Sequence, residues 1–186
     1  MRFDRKVRRF PWLALALAWA LPAPAHAQSG PTDYRDEFLR HFEASSRKVT
    51  LLAEAMPERL YSWSPGEGVM SVARVYAHVA RYNFLYLATS LGVAPPEEIE
   101  LATVEDRMAE RADKAEIRVL LDRSVTHVRE QVSRLTEEEL AGPTTLYGRE
   151  VAGWTVLLQL LAHMNEHVGQ SVAYARMNGV VPPWSM

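Results

Sequence analysis

Apolar side chains recur every three or four residues along most of this chain, and this spacing restricts the fold more than any other feature. The clearest case begins at residue 34, where apolar or small side chains follow one another in such steps: Tyr34, Phe38, Phe42, Ser45, Val49, Leu52 and Met56. These steps place the side chains on one face of an α-helix. Strand-like alternation is convincing nowhere in the sequence, so we expect an all-α protein.

Four helices are expected, bounded by residues that begin or end helices. In chain order they cover residues 34–56, 71–91, 117–135 with a start as early as 103, and 151–178. Ser71 is expected to cap the second helix and Gly92 to end it. Asp113 is expected to cap or restart the third, and Thr136 to cap a further short turn. Four long amphipathic helices in about 150 residues predict a four-helix bundle.

Residues 1–27 have the pattern of a cleavable signal peptide. Five basic residues stand against one acidic residue, Asp4, and an apolar run from Phe10 to Leu21 follows. The segment ends in Ala25-His26-Ala27, a small-residue cleavage site. The apolar run is too short for a spanning helix, which needs about 20 residues. We therefore expect export to the periplasm or the extracellular space, no stable membrane anchor after cleavage, and one domain over residues 28–186.

Composition excludes several kinds of chemistry. The 186 residues include 21 basic and 23 acidic side chains and no cysteine. Without cysteine the chain has no disulfide, thiolate nucleophile, cysteine-ligated zinc or iron–sulfur cluster. Removal of the leader takes away five bases and one acid, which leaves 16 basic against 22 acidic residues, a net charge of −6. Such an acidic domain carries no electrostatic footprint for nucleic acid.

The histidines carry whatever chemistry the domain has. His163 and His167 are four residues apart on the fourth helix, in a stripe that should face the bundle interior. Two buried imidazoles need partners, and one divalent ion satisfies both. His78 lies on the inward stripe of the second helix and is the expected third ligand. His41 and His127 lie one step off their stripes and are expected to be partly solvated or hydrogen-bonded instead.

Histidines also occur in three other kinds of site: inverted zinc-protease sites, di-iron carboxylate sites and haem sites. His163-x-x-Glu166-His167 matches the inverted zinc-protease motif, but residues 168–186 contain no acidic residue to complete that site. A di-iron carboxylate site needs Glu-x-x-His on two helices, and the chain lacks that pair. Haem held by two histidines of facing helices stays open, although no residue selects it.

Several short motifs resemble those of the DinB-like superfamily. They are Trp63-x-Pro65 before the second helix, Ser71 followed by His78 within it, the sequence from Leu160 to Gln170 that contains H-x-x-x-H-x-G-Q, and the tail from Tyr174 to Ser185. The resemblance covers roughly residues 34–184. It implies an up-down-down-up four-helix bundle that holds zinc, nickel or a similar divalent ion on His78, His163 and His167.

The resemblance also implies a range of activities. Superfamily members include low-molecular-weight thiol S-transferases and a maleylpyruvate isomerase, and many are dimers, so a homodimer is expected here. Cytosolic thiol cofactors fit poorly with an exported protein.

Three neutral imidazoles leave a coordination position open for water or substrate. We therefore expect a metal-dependent hydrolase or group (S-)transferase acting on an unknown small molecule, with no catalytic residue assigned. Side chains near the triad are candidates to line the pocket: Tyr82, Glu166, Gln170 and Tyr174. The tyrosines are equally well explained as amphipathic core residues. The alternative function is a non-catalytic helical bundle of the cell envelope that binds a metal or a small ligand.

Overall fold

The computed structural model describes residues 31–185, most of which are helical. The elements follow in chain order: α1 Pro31–Ala55, a 3-10 turn Glu58–Leu60, α2 Val72–Leu91, α3 Val104–Arg111, α4 Lys114–Arg134, α5 Glu137–Ala141, β1 Pro143–Leu146, β2 Arg149–Ala152, α6 Gly153–Met177, and a 3-10 turn Pro183–Ser185. The fold is mostly helical, which confirms the predicted helical character of the domain.

The four long helices enclose the hydrophobic core. Helices α1 and α2 each pack against both α4 and α6. The core contains apolar side chains from all four, among them Phe42, Leu52, Phe84, Leu121 and Leu160. The first helical stripe is buried from Phe38 to Met56, as its periodicity predicts. Tyr34, the first residue of that stripe, is instead exposed and stacks on Trp154 of α6.

Helix boundaries follow the capping residues that the sequence indicates. The Ser71 hydroxyl accepts a hydrogen bond from the Arg74 amide and caps α2. Gly92 ends that helix in the left-handed conformation, with φ of 68°. Thr136 and Glu139 form a reciprocal capping box at the start of α5. Each of these contacts satisfies backbone groups that a helix end leaves without an internal partner.

The predicted third helix is two helices. Helix α3 ends at Arg111, Ala112 takes a left-handed φ of 48°, and α4 begins one residue after Asp113. The Asp113 carboxylate accepts a hydrogen bond from the Glu116 amide at 2.9 Å, which confirms the cap and restart expected there. The break lets α3 pack against α2 as a separate element.

A β-hairpin, which the sequence analysis did not expect, separates α5 from α6. Strands β1 and β2 pair antiparallel, with Leu146 opposite Arg149. The two residues between the strands, Tyr147 and Gly148, have φ of 51° and 74°. Positive φ at both positions is what a type I′ turn requires. Because β2 takes up residues 149–152, α6 begins at Gly153, two residues after the expected start near residue 151.

The predicted signal peptide, residues 1–27, lies outside the described residues. Within residues 31–185, every helix is too short or too polar to span a bilayer.

Candidate metal centre

Helices α2 and α6 bring three histidines together inside the protein. His78 comes from the middle of α2, and His163 and His167 come from adjacent turns of α6. One ring nitrogen from each lies within 4.8 Å of the other two. The Nε2 atoms of His163 and His167 are 3.2 Å apart. The ring centroids of His78 lie 5.1 and 4.9 Å from those of His163 and His167, so the three imidazoles form one cluster.

Hydrogen bonds at the outer ring nitrogens orient two of these imidazoles. His78 Nδ1 lies 3.0 Å from a carboxylate oxygen of Glu105, and His167 Nδ1 lies 2.7 Å from the amide oxygen of Gln170. Carboxylate and amide oxygens only accept hydrogen bonds, so both Nδ1 atoms carry the proton and donate it. In a neutral imidazole with its proton on Nδ1, the unprotonated nitrogen is Nε2, which is the atom that would bind a metal ion.

Burial keeps the α6 histidines in the form that binds metal. Burial, together with the neighbouring imidazoles of His167 and His78, lowers the pKa of His163 to about 3, although Glu105 acts in the opposite direction. Burial also lowers the pKa of His167. Both imidazoles are therefore neutral near pH 7, and a metal ion does not have to displace a proton from them.

The donor set fits a divalent transition-metal ion. Two nitrogens bound to one tetrahedral ion at about 2.0–2.1 Å lie about 3.3 Å from each other. The 3.2 Å between the Nε2 atoms of His163 and His167 agrees with this spacing. Imidazole suits zinc, copper, iron and nickel. The cluster could thus hold an ion, and the geometry is compatible with more than one metal.

Glu105 is a site residue that the sequence analysis missed. Its carboxylate accepts the hydrogen bond from His78 and forms ion pairs with Arg74 at 3.2 Å and Arg81 at 3.9 Å. Although burial alone raises the pKa of Glu105, the bond from His78 and the charges of Arg74 and Arg81 hold that pKa below its usual range. No local pattern marks this residue, because it reaches His78 only once α3 packs on α2.

Replacing Glu105 with alanine is expected to weaken divalent-ion binding by about 10- to 100-fold, the usual cost of losing an outer hydrogen-bond partner of a metal-binding histidine. Zinc affinity measured by competition with a chromophoric chelator tests this. Asp106→Ala is the matched control, because Asp106 also pairs with Arg74 but is exposed and pairs with no triad histidine. Equal losses in the two variants would show that Glu105 does not act through His78.

The four side chains predicted to line the pocket differ in their positions relative to the three histidines. The Tyr82 ring packs 4.4 Å from that of His78 and 4.6 Å from that of His163, measured between centroids. Gln170 binds His167 and donates to the hydroxyl of Tyr174, which in turn donates to the Met70 carbonyl. Tyr174 therefore supports the triad through Gln170. Glu166 is exposed on α6, and the structure does not bring it into the triad.

The two remaining histidines lie away from the cluster. His41 is exposed and pairs with Glu37 of its own helix, as its position off the stripe predicts. His127 was expected to be partly solvated or hydrogen-bonded, but its ring is buried beside Phe84 and its Nε2 has no hydrogen-bond partner among the described residues. Desolvation lowers the pKa of His127, so the ring is neutral at this position.

Comparison with known proteins agrees with this architecture. The family model that describes the DinB superfamily matches residues 41–175. A DinB-like protein from Bacillus cereus superposes with a TM-score of 0.68 at 19% identity, over 80% of this chain and 95% of its own. A DinB-like protein from Bacillus subtilis superposes with a TM-score of 0.56 at 24% identity, over 78% of this chain and 93% of its own. A search of curated proteins found no match. The chain belongs to the DinB superfamily.

Proposed function

We propose that this protein binds one divalent metal ion through His78, His163 and His167 and uses it for hydrolysis or group transfer on a small molecule. The observation that carries the proposal is the orientation of the rings. Glu105 and Gln170 accept hydrogen bonds at the outer nitrogens of His78 and His167, which orients the inner nitrogens of both rings toward the centre of the cluster. When bound, the ion supplies a Lewis acid with an open coordination position.

The chain's own residues supply orientation and exclude water. The hydrogen bonds from His167 through Gln170 and Tyr174 to the Met70 carbonyl fix the ring on α6. The hydrogen bond from His78 and the charges of Arg74 and Arg81 lower the pKa of Glu105 against the effect of burial, and Glu105 fixes the ring on α2. The half-buried Tyr82 covers one side of the cluster. A site held in this way is preorganised, because little side-chain freedom remains to be lost on binding.

One observation favours the alternative, a metal-binding bundle without catalysis. The Tyr82 ring contacts the rings of both His78 and His163, and the α6 histidines are buried. Structural metal sites are closed, whereas catalytic sites keep a position open to water or substrate. The two proposals therefore differ in whether a coordination position beside Tyr82 is open to water or substrate.

Metal content and turnover of the same preparation test the proposal. Purified protein is expected to hold close to one equivalent of divalent ion per chain and to hydrolyse an ester, or conjugate a thiol with an electrophile, only while the ion is present. Turnover should disappear on chelation and return on reloading. Protein that keeps its ion but shows no turnover on either substrate class supports the bundle without catalysis. Folded protein that binds neither zinc nor nickel contradicts both.

We also propose that the helices of the domain over residues 28–186 follow the up-down-down-up order of the family. A separate proposal is that residues 1–27 direct export of the protein. The charge pattern, the apolar run and the Ala25-His26-Ala27 site support export. N-terminal sequencing of protein isolated from the cell envelope or medium is expected to begin at Gln28. Recovery of the intact N-terminus from cytosol would contradict this.

A homodimer is proposed as well. Exposed apolar side chains of α1 and α6, Tyr34, Trp154 and Leu158, surround a surface cavity of about 250 Å³. Such a patch favours contact with a second copy. Light scattering is expected to give a dimer that Leu158→Glu dissociates, and a monomeric parent protein would contradict the assignment.

A further inference from the structure

A cavity of about 310 Å³ lies between the second half of α2 and the β-hairpin. Its walls carry three aromatic rings and three hydroxyl-bearing side chains: Tyr82, Tyr86, Tyr147, Thr89, Ser90 and Thr145. Its volume is within the range of small-molecule pockets. Among residues 31–185, no charged side chain lines the cavity, so these residues do not complement a charged group.

The cavity adjoins the metal centre through two of its tyrosines. The Tyr82 ring stacks on His163 with an interplanar angle of 29°, and the Tyr86 ring meets His163 edge-on, with centroids 5.7 Å apart. A molecule in the cavity therefore contacts rings that themselves contact the triad. Cavity and triad are neighbouring parts of one region.

The backbone of Tyr147 gives an independent indication that its ring has a role. Within residues 31–185, two non-glycine residues have a positive φ, Ala112 at the end of α3 and Tyr147 at the hairpin tip. Asparagine and glycine are the residues preferred at this turn position, and a bulky side chain there is an outlier. Such a conformation persists where the surroundings require it, and it clusters at functional sites.

Core packing does not account for Tyr147, since its side chain is 64% exposed. Its hydroxyl is instead hydrogen-bonded to that of Tyr86 at 2.5 Å, and its ring meets the Tyr86 ring edge-on. Gln159 of α6 lies 3.4 Å from the same Tyr86 hydroxyl and donates to it. The Tyr147 side chain, which this turn position disfavours, thus contacts Tyr86 and connects the hairpin tip to the cavity wall.

We infer that this cavity is the subsite that takes an uncharged aromatic group of the ligand, with Tyr147 closing its outer side. Aromatic rings pack edge-to-face or offset against other rings, and hydroxyl groups pair with one polar substituent. The described residues that line the cavity offer both aromatic rings and hydroxyl groups, and none of them is charged. The orientation of such a ligand, with its metal-binding end toward the triad, rests on the proposed function, whereas binding of the aromatic group does not.

Two hydroxamates that differ only in the group beyond the metal-binding end test this inference on the zinc-loaded protein. Benzohydroxamate is expected to bind at least about 10-fold more tightly than acetohydroxamate, because its phenyl ring leaves water. Tyr147→Asn should weaken benzohydroxamate by roughly 3- to 10-fold, the value of one aromatic contact. The same change should leave acetohydroxamate binding unaltered.

The melting temperature of the Tyr147→Asn protein distinguishes a role of Tyr147 in ligand binding from a role in folding stability. Asparagine tolerates positive φ better than tyrosine, so Tyr147→Asn is expected to keep or raise the melting temperature while it weakens benzohydroxamate. Tyr147→Phe keeps the ring and should retain most of the benzohydroxamate preference. Equal affinity for the two hydroxamates, or an equal loss of both in Tyr147→Asn, would overturn the inference.

A folded protein that binds neither zinc nor nickel would contradict the proposed function, and a second probe would then test this inference. Metal-free protein titrated with 2-naphthol, an uncharged aromatic alcohol, then decides the matter. Binding that Tyr147→Asn weakens and His127→Ala does not supports the aromatic subsite. Absence of 2-naphthol binding, or binding insensitive to Tyr147→Asn, overturns it.

Discussion

Replacing His163 with alanine is expected to lower the affinity for zinc or nickel by more than about 100-fold, because loss of an outer hydrogen-bond partner alone costs 10- to 100-fold. The Nε2 of His163 is 3.2 Å from that of His167, so its removal takes away the nitrogen closest to the second α6 ligand. Competition with a chromophoric chelator near pH 7 measures the change. The α6 rings are neutral at that pH, and protons then compete little with the ion.

His127→Ala is the matched control for this prediction. His127 and His163 are each 9% exposed, so the two alanine variants remove the same side chain from similarly buried positions. Both are expected to lose folding stability, since a cavity replaces a buried ring. Zinc affinity should fall in His163→Ala alone. A similar loss in both variants would show that the effect arises from the fold and not from the triad.

Replacing Gly153 with alanine is expected to destabilise the fold by about 3 kcal/mol or more, at the upper end of the cost of overpacking. A Cβ at this position would lie 2.3 Å from the Glu139 carbonyl oxygen and 3.2 Å from the Leu140 Cα. Both are backbone atoms of α5, so rotation of a side chain cannot relieve the clash. The Gly153 amide also donates to the Gly142 carbonyl at 3.0 Å, which holds α5 close to α6. Urea unfolding measures the change.

Gly169→Ala on the same helix provides the control. Gly169 is exposed, and a Cβ there meets no atom within 4 Å in the described part of the chain beyond its own stretch of helix. Alanine is favoured over glycine in a helix interior by about 1 kcal/mol, so this variant should unfold at higher urea concentration than the parent protein. A Gly153→Ala variant within about 1 kcal/mol of the parent would contradict the close contact between α5 and α6.

The long helices and the α6 histidine pair could be predicted from sequence because both depend on local spacing. Periodicity identifies the buried face of a helix, as the buried Phe42 and Leu52 illustrate. Capping depends on residues within one turn, as at Ser71. A spacing of four residues places His163 and His167 on one face whatever the rest of the chain does. His78 could be added because it lies on the inward stripe of its own helix.

The remaining parts of the site depend on tertiary contacts that no local pattern reports. Asp113 marks the restart between α3 and α4, but no local pattern reports that α3 packs on α2 and brings Glu105 to His78. The strands of the hairpin have four residues each and are too short for alternation to stand out. The signal that could have found the hairpin is Tyr147-Gly148 between two short runs that contain β-branched residues.

X-ray absorption at the metal edge of the zinc-loaded protein tests most directly whether His78, His163 and His167 share one ion. Three imidazole nitrogens at about 2.0–2.1 Å from the zinc are expected, and two in His78→Ala. The His41→Ala protein should give the same spectrum as the parent, since His41 lies exposed on α1. Zinc bound mainly by oxygen, or a spectrum that His78→Ala leaves unchanged, would contradict the three-histidine centre.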